Sequence, residues 1–227
     1  MTEGRIRKYL AYAMGEVLLV MIGILLALQV NNWNQWRKDR QKEKEILTSL
    51  KLNLEKNRAV YEELIAHFNN GLLSDRIILN TIDNHSDYND SLSIHFSMAT
   101  RGYGGADQIS FTGYEELKNN GFDLVTNKLL KDEVIKIFEN TYRTTISIDE
   151  TFKLENVYRN EVIGPLFYHD KAYSMKPFDY QTVLESHSYY SLLTDFQNNY
   201  GWMKEYALLG LSETDRVLQL VENELEE

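Results

Sequence analysis

Residues 9–30, YLAYAMGEVLLVMIGILLALQV, form an apolar stretch long enough to cross a bilayer. At about 1.5 Å rise per residue, a helix over it reaches roughly 33 Å, against about 30 Å of hydrocarbon. The uninterrupted apolar part runs from Val17 to Leu28, flanked by Glu16 and Gln29. Tyr9 and Tyr12 precede it and Trp33 and Trp36 follow, the pattern of aromatic membrane-interface anchors. A cleaved signal peptide needs a small-x-small site after its apolar region, and in Leu25-Leu26-Ala27-Leu28-Gln29 the first position is filled by Leu25. The expectation is one uncleaved transmembrane helix, with the lipid bilayer as its first partner.

Arg5, Arg7 and Lys8 lie before the stretch, and Arg37, Lys38, Arg40, Lys42 and Lys44 lie just after it. That five-to-three count leans toward a cytoplasmic C-terminal domain. The chain has no cysteine, so it has neither a disulfide framework nor a thiol site, and this suits either compartment.

Residues 12–37, YAMGEVLLVMIGILLALQVNNWNQWR, resemble the N-terminal signature of a family of Bacteroidota single-pass membrane proteins, domain-of-unknown-function family 6090. The family pattern reads YAIGE…IGILIALQ…NNWNE. Tyr12, Ala13, Gly15, Glu16, Ile22, Gly23, Ile24, Leu25, Ala27, Leu28, Gln29, Asn31, Asn32, Trp33 and Asn34 fit it. A looser likeness covers residues 111–142, similar to the family's Y-x-x-L-x-x-x-G…L helical pair. The resemblance implies a bacterial inner-membrane protein with an exported domain, which opposes the lean of the charge count. It brings no activity with it.

Glu16 stands out because a carboxylate in hydrocarbon is expensive. At about 100° per residue, Glu16, Val20, Gly23 and Ala27 fall in one narrow sector, and Gly23 with Ala27 makes a small-x-x-x-small pair. Three readings stand side by side. Glu16 sits at the interface and snorkels; or the sector is a helix-association face for a homo-oligomer; or Glu16 belongs to an ion or proton path.

Charge divides the rest. Residues 1–58 carry a formal +5 and residues 59–227 a formal −15. A basic neck suits anionic headgroups. An acidic remainder offers no face to neutralise phosphates, so nucleic acid is not an expected partner. Leu47, Leu50, Leu54, Tyr61, Leu64 and Phe68 recur at three- and four-residue steps, so helix is expected to continue to Asn70. Asn57 interrupts a coiled-coil seam there, and packing against later helices of the same chain is the expected use. Asn69-Asn70-Gly71 reads as a turn, followed by a short helix over residues 72–83.

Beyond it, residues 83–90, DNHSDYND, read as a polar loop. They lack the glycine and glutamate of a calcium loop. Gly102, Gly104 and Gly105 belong to a loop without a phosphate-cradle motif. Thr112 with Glu115 predicts a capping box, Gly121 a helix end, and Asn127 the cap of a longer helix. Thr144–Ile148 is β-branched but without a partner strand, so helix is expected. Pro165 and Pro177 punctuate an aromatic loop, and a last helical stretch covers about residues 188–224, with a break near Gly210-Leu211-Ser212.

The expected architecture is all-α. A basic tail (1–8), a transmembrane helix (9–30) and a juxtamembrane helical neck (31–70) lead into an acidic, elongated antiparallel helical bundle (71–227). A flexible loop is expected at about 83–110. His67, His85, His95, His169 and His187 show no metal-ligand spacing, and Tyr168-His169-Asp170 does not make a triad by adjacency. No catalytic residue, cofactor or metal is predicted. The expected function is a non-enzymatic, membrane-anchored module acting through contacts with a protein partner, as scaffold, assembly partner or sensory domain. Two alternatives are a membrane-tethered hydrolase with a site assembled from distant residues, and a subunit of an ion-coupled complex using Glu16.

Overall fold

The computed structural model describes residues 3–102, 104–153 and 156–226, with side chains described over 13–102, 104–150 and 158–226. The fold is all-α save for one small hairpin. Helix α1 runs unbroken from Glu3 to Asp83, 81 residues and therefore about 120 Å long. Short helices follow: α2 (Leu92–Ala99), α3 (Thr112–Asn120), α4 (Lys128–Lys136), α5 (Arg143–Lys153) and α6 (Asn156–Ile163). Strands β1 (Phe167–Lys171) and β2 (Ser174–Pro177), helix α7 (Tyr180–Glu185) and the 40-residue α8 (His187–Glu226) complete the chain.

The spine is an antiparallel pairing of α1 with α8. Along α1 the buried positions include Glu43, Leu47, Leu50, Leu54, Asn57, Tyr61, Leu64, Phe68, Gly71, Asp75, Ile78 and Ile82, separated alternately by four and three residues, with Ile46, Asn53, Val60, Ser74 and Thr81 buried beside them. Along α8 they include Leu193, Phe196, Tyr200, Met203, Ala207, Gly210, Thr214, Val217, Val221 and Glu224, with the same alternation. This is a heptad-like repeat, which keeps one apolar stripe facing one partner along the whole length. Packing against a later helix of the same chain is thus what the neck does, and the seam runs straight through Asn57.

Two glycines set the register. A Cβ on Gly71 would stand 2.6 Å from the ring of Tyr200, and a Cβ on Gly210 would collide with the ring of Tyr61. Each helix therefore places a tyrosine where the other has no side chain, ten residues from its own glycine. The expected turn at Asn69-Asn70-Gly71 does not form, because Gly71 serves close helix approach rather than chain reversal. No break accordingly marks the division placed at residue 70. The break expected near Gly210 is absent for the same reason.

The short helices wrap the seam. The capping box expected of Thr112 and Glu115 does not form: Phe111 is the N-cap residue of α3 and gives no side-chain bond. The Gly113 N–H donates instead to Asn53 Oδ1 on α1, at 3.0 Å. Asn57 holds the preceding peptide, donating to Ser110 O and accepting from Ser110 N–H, both at 2.8 Å. Asn127 caps α4 as expected, accepting from Leu130 N–H at 3.2 Å. Thr144–Ile148 lies within α5, also as expected.

A π-helical turn, Ile137–Tyr142, joins α4 to α5 and turns Ile137, Phe138 and Tyr142 inward together. Phe138 stacks on Tyr114 at 4.6 Å and meets Tyr142 edge-on at 4.9 Å. The aromatic loop expected around Pro165 and Pro177 is a β-hairpin instead, Phe167 pairing with Pro177 and Tyr168 with Lys176. Its buried ends, Phe167 and Met175, pack inward, Phe167 lying 4.9 Å from Phe96 of α2 and 5.1 Å from Tyr189 of α8.

Candidate functional site

Functional features gather at three levels along α1. The first is the apolar segment. Every described side chain from Ala13 to Lys38 is exposed, and α1 is, among the described residues, the helix long and apolar enough to cross a membrane, with a mean hydropathy of 2.2 over an 18-residue stretch. Trp33 and Trp36 are 60% and 63% exposed, and the guanidinium of Arg37 lies 6.0 Å from the Trp33 ring centre. The side chains of Tyr9 and Tyr12 fall outside the described residues. Glu16, Val20, Gly23 and Ala27 are all exposed, and nothing lies within 4 Å of where a Gly23 Cβ would stand.

The second level is the base of the α1–α8 pair, where α8 ends against α1. Arg40 Nη1 bonds Glu43 Oε2 at 2.6 Å and lies 3.6 Å from Glu224 Oε1, and Nη2 donates to the Glu224 carbonyl at 3.0 Å. Lys44 Nζ donates to the Leu225 carbonyl at 3.3 Å. The α8 sequence has no basic residue in its last turn, so α1 supplies the cations that its C-terminal carbonyls favour. Asn127 at the start of α4 donates to Glu224 Oε2 at 2.8 Å, tying a third helix to this corner. Glu43 and Glu224 are both buried. A groove of about 430 Å³ opens beside them, with Trp36, Asp39 and Asp123 at its sides.

The third level is a sealed polar centre in the far half of the seam. Asp75 is fully buried, and neither carboxyl oxygen has a hydrogen-bond partner among the described residues. Burial alone pushes its pKa up to about 8, which favours the neutral acid in the folded chain. The hydroxyl of Tyr189, also fully buried, is likewise unbonded among the described residues. Burial and then the charge of Asp75 push the Tyr189 phenol far up, and the same two causes raise Tyr200. Around this centre the glycine-rich loop is pinned. His67 Nε2 meets the Gly102 carbonyl at 2.9 Å, and Arg159 Nε donates to the Thr100 carbonyl. Burial lowers the pKa of both His67 and Arg159.

These groups do not converge on a reaction site. His169 is exposed on β1, while its neighbour Asp170 pairs with Lys176 at 3.5 Å and is held low by Ser174. His95 Nδ1 lies 3.1 Å from Ser74 Oγ, the one His–Ser contact among the described residues, with no acid at the other ring nitrogen in the hydrogen bonds described. No group of three or more His, Cys, Asp or Glu among the described residues is arranged to hold a metal ion. Sequence reasoning missed Asp75, the Asn53–Asn57 pair and the Arg40–Glu43–Glu224 corner. Asp75 and Glu43 were findable, since both fall on the four-three repeat once it is carried past Phe68 and back before Leu47.

No known protein family matches the chain. No curated protein and no solved structure matches it either.

Proposed function

We propose that the chain is a membrane-anchored helical module that works through protein contacts, as scaffold, assembly partner or sensory domain. One observation carries this reading: a helix whose apolar half is wholly exposed continues without a break into a half buried along a heptad-like seam. An exposed stretch of this hydropathy is insoluble in water and suited to lipid. The likeness of residues 12–37 to the Bacteroidota single-pass family points the same way, to an inner membrane.

The continuity of α1 also supports the proposed association face. Glu16, Val20, Gly23 and Ala27 are all exposed and lie well before Arg40, where α8 ends against α1. A second copy can therefore pack on that sector without meeting α8.

Alkaline extraction of membranes tests the anchor. Retention in the membrane pellet is expected, and release into the soluble fraction overturns it. Because the natural chain has no cysteine, a single Glu226→Cys change labelled by an impermeant maleimide in intact cells or spheroplasts fixes the side on which the domain lies. Under the association reading, Gly23→Leu weakens crosslinked oligomers and Glu16→Gln leaves them intact. Loss of biological output in Glu16→Gln with assembly unchanged supports the ion-coupled alternative instead.

A further inference from the structure

We infer that the groove at the base of the α1–α8 pair is a binding site for an organic ammonium group. Trp36, Asp39, Arg40, Glu43, Asp123 and Glu224 line it. Four carboxylates thus face one guanidinium, and that guanidinium is already engaged by Glu43 and Glu224. Two nearby neck cations are directed elsewhere: Arg37 over Trp33, and Lys44 onto the Leu225 carbonyl. The local field therefore favours a cation and rejects an anion.

Glu43 adds an observation independent of charge. Its side chain is 4% exposed and Oε2 is bonded to Arg40, yet Oε1 has no hydrogen-bond partner among the described residues. A buried carboxylate oxygen left in this state is costly, and Glu43 is one of the residues that line the groove. Trp36 supplies an exposed aromatic face beside the acids, the other element that ammonium recognition uses. A volume of about 430 Å³ is that of a small-molecule site rather than of a single ion. The carboxylates are also not arranged as a metal-ligand group. Aromatic face, surplus carboxylates and small-molecule size together specify an organic cation.

The ammonium has two possible sources. Trp36 lies six residues beyond Val30, about 9 Å along the helix axis, at the height of a lipid headgroup. A free soluble amine could enter from the side.

The test uses the full chain in two settings. In dodecyl maltoside micelles at fixed ionic strength, ethanolamine is titrated while Tm and tryptophan fluorescence are followed. In nanodiscs of phosphatidylethanolamine mixed with phosphatidylglycerol, retained lipid is identified by native mass spectrometry. Expected is a saturable rise in Tm with ethanolamine that equal NaCl does not reproduce. Asp39→Asn with Asp123→Asn, a pair at the groove mouth, should weaken it about tenfold, and Trp36→Leu about fivefold. Selective retention of phosphatidylethanolamine, lost in the Asp pair, assigns the lipid source. A response to ethanolamine without lipid preference assigns a free amine. Absence of both responses, or responses unchanged in the Asp pair, overturns the site. The micelle arm reads the groove whether or not α1 crosses a bilayer, so its failure is separable from failure of the membrane reading.

Discussion

Tyr200 of α8 fills the space that a side chain on Gly71 of α1 would need, with the nearest ring carbon 2.6 Å from an ideal Cβ. Ten residues on, the relation is reversed, Tyr61 of α1 filling the space at Gly210 of α8. The pair fixes register because a slip of either helix drives a ring into a side chain. Gly71→Ala should destabilise by about 1–3 kcal/mol through overpacking. Adding Tyr200→Leu should restore part of that loss, as measured by urea unfolding. Additive losses in the double variant would contradict the contact.

Asp75 makes stability depend on pH in an unusual direction. Its folded pKa of about 8 lies above the unfolded value near 3.8. Between those values the folded chain holds a proton that the unfolded chain has lost. The contribution of Asp75 to stability is therefore fullest below about pH 4 and falls as pH rises toward 8, by up to about 1.4 kcal/mol per unit. Asp75→Asn should flatten that slope and raise Tm at pH 8. A variant whose Tm follows the natural chain across pH 5–8 would show that Asp75 does not carry the effect.

Asn57 bonds both the N–H and the C=O of Ser110, an arrangement few side chains can copy. Asn57→Leu suits the seam by polarity yet strands the Ser110 N–H, while the Ser110 carbonyl keeps Asn53 Nδ2 at 3.0 Å, for an expected loss of about 1–3 kcal/mol. Asn57→Asp keeps the acceptor and loses the donor to Ser110 O. Hydrogen exchange at the Ser110 amide should rise sharply in Asn57→Leu and less in Asn57→Asp.

Arg40 and Arg58 both pair acids across the α1–α8 seam, in different surroundings. The partners of Arg40, Glu43 and Glu224, have side chains only 4% and 7% exposed, whereas Asp215 opposite Arg58 is 49% exposed. Arg40→Gln leaves two buried carboxylates without their cation and should lose about 3–5 kcal/mol. Arg58→Gln should lose at most about 1 kcal/mol, and even that fades in high salt. Equal losses by thermal or urea unfolding would refute the distinction.

The helical character of the chain was legible because the three- and four-residue spacing of Leu47, Leu50, Leu54, Tyr61, Leu64 and Phe68 is strong. The cap at Asn127 was legible too, being local to one turn. What the sequence concealed was long-range. Gly71 and Gly210 carry the composition of a turn and a break, and only the partner ring shows why they are glycine. The acceptor for Gly113 is Asn53, 60 residues away, so Thr112 and Glu115 suggested a cap that tertiary contact had already supplied. The strands over residues 167–177 are too short and too polar for alternation to announce them. Taking Asn69-Asn70-Gly71 for a turn also hid Asp75, since the repeat that places it inside was stopped at Phe68, two steps short.

The unbroken course of α1 has a mechanical consequence. No proline or turn lies between its apolar end and the far tip at Asp83, so nothing along its length can absorb twist. Turning the apolar end about the long axis by the angle between neighbouring residues, about 100°, would rotate Leu47, Asn57 and Asp75 away from α8 together.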